Sequence, residues 1–152
     1  MRSEGRVFIV RHRRIIPSVP HVPHSDRPRA GRTAQRAPAS FVIAGSGESV
    51  EGKANYRDHI VSPGDTSPAG MLAKARWVLD EMERRMSAFG GDWKQTTSVQ
   101  LYTVQDVFPI LENELGRRGV FRNGLTWHFN RPPVVGLEYE MDCRCVQIER
   151  VV

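Results

Sequence analysis

Apolar residues recur at three- and four-residue spacing across residues 67–88: Met71, Leu72, Ala75, Val78, Leu79, Met82 and Met86. Lys74, Asp80, Glu81, Arg84 and Arg85 fall between them, so the period predicts one amphipathic helix with a polar outer face. Thr66 or Ser67 is placed to cap it, Pro68 suits its first turn, and Gly90–Gly91 stops it. A second helix is predicted from Asp106, with Val107, Ile110, Leu111 and Leu115 as its buried stripe and Gly116 or Gly119 at its end.

Elsewhere the period is two. "RVFIVRHRRII" (6–16), Phe41 to Ala44, "TTSVQLYTV" (96–104), "LTWHFN" and "GLEYEMDCRCVQIE" read as strands, the last two separated by Pro132–Pro133 and Gly136. On 137–146 the odd positions Leu137, Tyr139, Met141, Cys143 and Cys145 are apolar, while Glu138, Glu140, Asp142 and Arg144 are polar. One face of that strand wants a dry core; the other faces solvent or lines a polar interface. The order β-β-α-β-α-β-β argues an α+β fold, one sheet with two helices on one face.

Charge divides the chain. Residues 1–37 hold nine arginines against Glu4 and Asp26, a net +7, and are rich in proline; residues 38–152 hold thirteen basic and fifteen acidic side chains. The organisation expected is a basic Arg/Pro-rich strand and arm over 1–37 and an α+β domain over 38–152. A basic arm permits contact with nucleic-acid phosphates, but Phe8 is its one aromatic for base stacking, and docking on the acidic body explains the charge equally. No apolar run approaches the roughly 20 residues that cross a bilayer. No cleavage site follows the charge-interrupted start "MRSEGRVFIVRHRR", so no secretory signal is expected. Cys143 and Cys145, two apart on a strand, are poorly spaced for a disulfide and too few for zinc, which fits reduced thiols in a cytoplasmic protein.

From residue 40 onward the chain resembles the YjgF/YER057c/UK114, or RidA (reactive intermediate deaminase), superfamily. The resemblance is carried by "FVIAGSGE", "PGDTSPAGMLAKARWVLDEMERRM", "GGDWKQTTSVQLYTVQDVFPILENEL" and "RPPVVGLEYEMD" in that order. It implies a chorismate-mutase-like α+β fold, a homotrimer whose sheets form a central barrel, and small-molecule clefts between subunits. It also implies hydrolysis of enamines and imines, including 2-aminomuconate-like carboxylates, without metal or organic cofactor. Two other functions stay open: a non-catalytic metabolite-binding trimer of the same fold, and an RNA-binding or endoribonuclease-type protein using the basic arm.

Imine hydrolysis needs a placed water, an acid/base group and a cation for the substrate carboxylate. The resemblance assigns the family's last-strand glutamate to Glu138, with Glu140 next on the same face; two carboxylates about 7 Å apart either repel and raise one pKa, which makes a protonated acid available, or are simply solvated strand glutamates. The family arginine falls at Asn123 or Gly124, so Arg122 or Arg131 is left to hold the carboxylate. His128 has the chemistry for proton transfer at neutral pH, or is a half-buried histidine bonded to backbone. Trp127 is either a stacking wall or a core or interface aromatic. Tyr102 and Glu112 fall near positions that contribute to the cleft in relatives. "GSGES" (45–49) lacks the lysine and helix of a phosphate loop; its glycines suit a cleft wall that passes close to a ligand.

Overall fold

A computed structural model describes residues 40–149. The expected strand at 6–16 and the arm of residues 1–37 lie outside the described residues. Four strands form one sheet in the order β1-β4-β2-β3: β1 Phe41–Ile43, β2 Ser98–Tyr102, β3 Thr126–His128 and β4 Glu140–Cys145. β4 runs antiparallel to both β1 and β2, and β3 runs parallel to β2. The mixed α+β architecture with two helices on one side of the sheet is therefore as the hydrophobic pattern predicts. Among the described residues no helix is long and apolar enough to cross a membrane.

Helix α1 spans Pro68–Ala88. The Ser67 hydroxyl accepts from the Gly70 amide at 3.2 Å, and the Asp65 carboxylate takes the Ser67 amide at 2.9 Å, so two of the orphan donors at this end are satisfied. At the other end Gly90 adopts a φ of 71°, and the Gly91 amide reaches back to the Met86 carbonyl at 2.9 Å. Met71, Ala75, Val78, Leu79, Met82 and Met86 are buried as expected. Lys74 is not on the polar face: it is fully buried, for a reason given below.

Asp106 opens the second helix by accepting the Phe108 amide at 3.0 Å. Helix α2, Phe108–Ile110, then widens into a π-helical turn over Leu111–Gly116. Glu114 lies three and four positions after Leu111 and Ile110, which is the buried side by ordinary helical spacing. Glu114 consequently points inward, where Arg76 meets it at 2.6 Å and Arg118 at 3.4 Å, while Leu111 is only partly buried.

The core lies between the helices and the odd face of β4. Tyr139, Met141 and Cys143 are buried there with Phe41, Ile43, Val99 and Leu101, and burial pushes the Cys143 thiol up to about 12. Strand β4 is shorter than the alternation suggests. The amides of Glu138 and Tyr139 go to the Glu48 carboxylate, at 2.5 and 3.0 Å, instead of a neighbouring strand. Glu138 therefore sits just off the ladder, after a turn in which Gly136 holds a φ of 91°.

Candidate active site

The open face of the sheet carries the polar side chains of β4, and its register sets them beside those of β2 and β3. Tyr102 is paired with Glu140 on one side and His128 on the other. Its ring stacks on the His128 imidazole at 4.8 Å and 10°. Its hydroxyl contacts the Gln100 carboxamide and lies 2.8 Å from the Asp142 carboxylate. The single hydroxyl proton serves one acceptor at a time, Oε1 of Gln100 or the Asp142 carboxylate.

Burial pushes the Glu140 carboxyl above its usual range, and the charges of Asp142 and Glu48 push it the same way. The pair anticipated from the sequence was Glu138 with Glu140; the carboxylates that act on Glu140 are instead Asp142 and Glu48. Burial also raises Asp142, against the opposing hydrogen bond from Tyr102 and the charges of Arg144 and His128. Tyr102 is raised by burial first and by its bond to Asp142 second. Two buried polar atoms on this face have no hydrogen-bond partner: Oε2 of Glu140 and Nε2 of His128. An unpaired buried acceptor or donor costs about 1–3 kcal/mol, so both atoms are suited to a ligand.

Glu140 also reaches a cleft of about 500 Å³ whose wall is the "GSGES" segment. Gly45, Ser46, Gly47, Leu137 and Lys53 line it with Glu140. Gly45 has a φ of +77°, and a Cβ there would sit 3.0 Å from Oε1 of Glu140, so glycine lets the wall pass against that carboxyl. Arg85 of α1 donates to the Gly45 carbonyl at 3.0 Å and steadies the wall.

Glu138 is not among the residues that line this cleft. Its Oε1 is 2.5 Å from Nη1 of Arg131 and its Oε2 accepts from the Gln105 amide at 3.0 Å. Arg131 is 61% exposed against 14% for Glu138, so most of the guanidinium remains open to an incoming anion.

The other expected site residues are dispersed in the single chain. Asn123 donates to the carbonyls of Thr96, at 2.6 Å, and Lys94, which clamps the turn before β3 to the start of β2. Arg122 is exposed on that same turn. Glu138, beside Gln105, is past the far end of β2, so about 15 Å or more of strand separates the two groups. Trp127 is in register with Leu101, on the face opposite His128. Its indole donates to the Thr103 carbonyl at 3.0 Å and meets Phe108 and Phe129 edge-on. Glu112 is exposed on the π-helical turn, on the helix side of the sheet. Sequence reasoning overlooked Gln105, Lys53 and Asp142; only Asp142 left a signal, as the next even position of β4.

Residues 29–150 match the family model described as "2-aminomuconate deaminase CnbZ". The 2-amino-5-chloromuconate deaminase of Comamonas testosteroni is 48% identical over 113 residues, covering 74% of this chain and 45% of that protein. The chain thus spans less than half the length of that curated relative. Among solved structures, a conserved Rid family protein of unknown function from Yersinia pestis superposes with a TM-score of 0.51 at 18% identity, over 74% of this chain and 82% of that one. The YjgF gene product of E. coli does so with a TM-score of 0.50 at 15% identity, over 72% and 82%. At those identities the likeness is one of fold.

Proposed function

From the premise that the chain belongs to the 2-aminomuconate deaminase CnbZ family, we propose that it is a hydrolytic deaminase of a 2-aminomuconate-like enamine or imine carboxylate. It works as a cytoplasmic homotrimer whose cleft is completed by a neighbouring subunit. The observation that carries the chemistry is Glu140: a carboxyl at the glycine-walled cleft, biased toward its protonated form and with one oxygen buried and unpaired.

In this reading Glu140 gives its proton to the enamine carbon, which converts C(NH2)=CH to an iminium flanked by CH2. Water then adds to the C=N carbon, with Glu138 taking a proton from it; the carbinolamine collapses to C=O as Glu138 returns that proton to the departing nitrogen, ammonia leaves, and the hydroxyl proton goes back to Glu140. One water is consumed and one ammonia released. Arg131 holds the substrate carboxylate through the donors that Glu138 does not use, and Lys53 meets a second carboxylate at the cleft. His128 is the auxiliary acid/base, next to Tyr102. Arg122, Asn123, Trp127 and Glu112 reach a cleft only across a subunit boundary, which is why the trimer belongs to the proposal.

The test is ammonia release from 2-aminomuconate by the purified chain, with sedimentation analysis of its assembly state. Glu140→Gln is expected to lower kcat by about 100-fold, the usual scale for a lost general acid. No ammonia from the wild-type chain, together with stabilisation by the same compound, would replace the enzyme with the metabolite-binding trimer.

A further inference from the structure

Glu48 and Lys74 are both wholly shut off from solvent, and neither lines the cleft. They form an ion pair with Nζ 3.4 Å from Oε1. A buried pair of this kind is no more stable than a well-packed apolar pair, so its other bonds matter more than its charge. The remaining ammonium protons of Lys74 go to the carbonyls of Val61, at 2.8 Å, and Ser62, at 2.9 Å. Ser62 is the one non-glycine residue among those described with positive φ, at 46°. Lys74 thus grips the carbonyl of a residue in an unfavourable conformation.

Glu48 in turn spends both oxygens on backbone. Oε1 takes the Glu138 amide at 2.5 Å and Oε2 the Tyr139 amide at 3.0 Å. Its own carbonyl accepts from the Val61 amide at 2.8 Å. One unit therefore ties together the cleft wall, the 61–62 turn, helix α1 and the two residues between the Pro-bearing turn and β4. With two successive amides fixed, the peptide planes on either side of Glu138 have little freedom to rotate, which sets the path of the backbone into β4, where Glu140 pairs with Tyr102.

We propose that Glu48, braced by Lys74, is a positioning residue for the deaminase site. It aims Glu138 at Arg131 and Gln105, and Glu140 at the glycine-walled cleft, without touching substrate. The proposal rests on the deaminase reading for its catalytic consequence but not for its structural one.

The double variant Glu48→Gln/Lys74→Gln removes both charges together and strands neither. In the full-length chain, amide exchange at 138–140 is expected to rise by about tenfold or more while 98–102 and α1 keep wild-type protection. On 2-aminomuconate, kcat per folded molecule is expected to fall by about 10- to 100-fold, with KM changing by less than about threefold. A purely structural pair would raise exchange throughout and lower only the folded fraction; either that uniform pattern or an unchanged kcat in the folded double variant overturns the proposal. Should the double variant not fold, Glu48→Asp keeps the charge but is too short for both amides, and the same losses are expected; wild-type kcat there is equally fatal. If the wild-type chain releases no ammonia, the deaminase reading fails alone. Exchange at 138–140 then still decides the positioning claim, which unchanged protection overturns.

Discussion

Strand β4 presents two chemically opposite faces within six residues. Toward the helices, Met141 and Cys143 are sealed against α1, β1 and β2; toward the open side, Glu140 and Asp142 are half-buried and perturbed, and two nearby polar atoms lack partners. The first face is satisfied by the chain itself. The second face carries unmet hydrogen-bonding capacity that destabilises it in isolation, the usual mark of a surface shaped for a ligand or a partner. Under the proposed function, stability and catalysis fall on opposite sides of one backbone.

The strongest way to break the comparison is to damage each face in turn. Met82→Ala, under the covered face, is expected to cost about 2–5 kcal/mol in urea unfolding; its kcat, measured where the variant is folded, is expected to stay within about threefold of wild type. Glu140→Gln is expected to invert that pattern, with the kcat loss given above and stability unchanged or raised, because a carboxyl that burial disfavours has been neutralised. Loss of stability in Glu140→Gln comparable with Met82→Ala would erase the distinction between the faces.

Asn123→Ala tests where the active region ends. It removes a clamp bond to the Thr96 carbonyl and is expected to cost about 1 kcal/mol in stability. Because the proposed trimer brings Asn123 to a neighbouring subunit's cleft, kcat is expected to fall by about tenfold as well; an unaffected kcat would confine the site to one chain.

The smallest effect is a pair of opposed pH slopes. Glu81, on the outer surface of α1, is lowered to about 2, first by its hydrogen bond from Arg84. A depressed folded pKa means that stability from this group is lost as pH falls from the unfolded value near 4.5 toward 2. Glu140 and Asp142 are raised, so they bind protons more tightly folded than unfolded. Stability from these groups is fully present below the unfolded values and is lost as pH rises through the folded ones. Urea midpoints between pH 2 and 8 are expected to rise and then decline, and Glu140→Gln is expected to flatten the decline while leaving the acid limb intact. A decline unchanged in that variant would show that Glu140 is not the group responsible.

Much of this was legible beforehand. The YjgF/RidA resemblance is borne out, and the α1 boundaries, its Ser67 cap and the two faces of β4 follow from local patterns of period 3.6 and 2. Those patterns failed where distant residues intervened. Lys74 looks like an outward helix residue until Glu48, Val61 and Ser62 supply three acceptors for it. Glu138 looks like a strand residue until the Glu48 carboxylate takes its amide. Trp127 and His128 are neighbours in sequence, yet the pleat sends one to the helices and the other to the open face.

By itself the sequence determined the family, the helices and which residues of the last strand avoid water, because each depends on neighbours within a few positions or on an ordered set of motifs. Only the tertiary structure decided that Glu140 meets the glycine wall, that Arg131 joins Glu138, and that a buried carboxylate fixes the amides beside them. Glu140 meets Gly45 across 95 positions and Glu48 reaches Glu138 and Tyr139 across 90 and 91, and no local propensity carries information over that distance; Arg131 and Glu138 are only seven apart, but the fold of the turn between them decides that they meet.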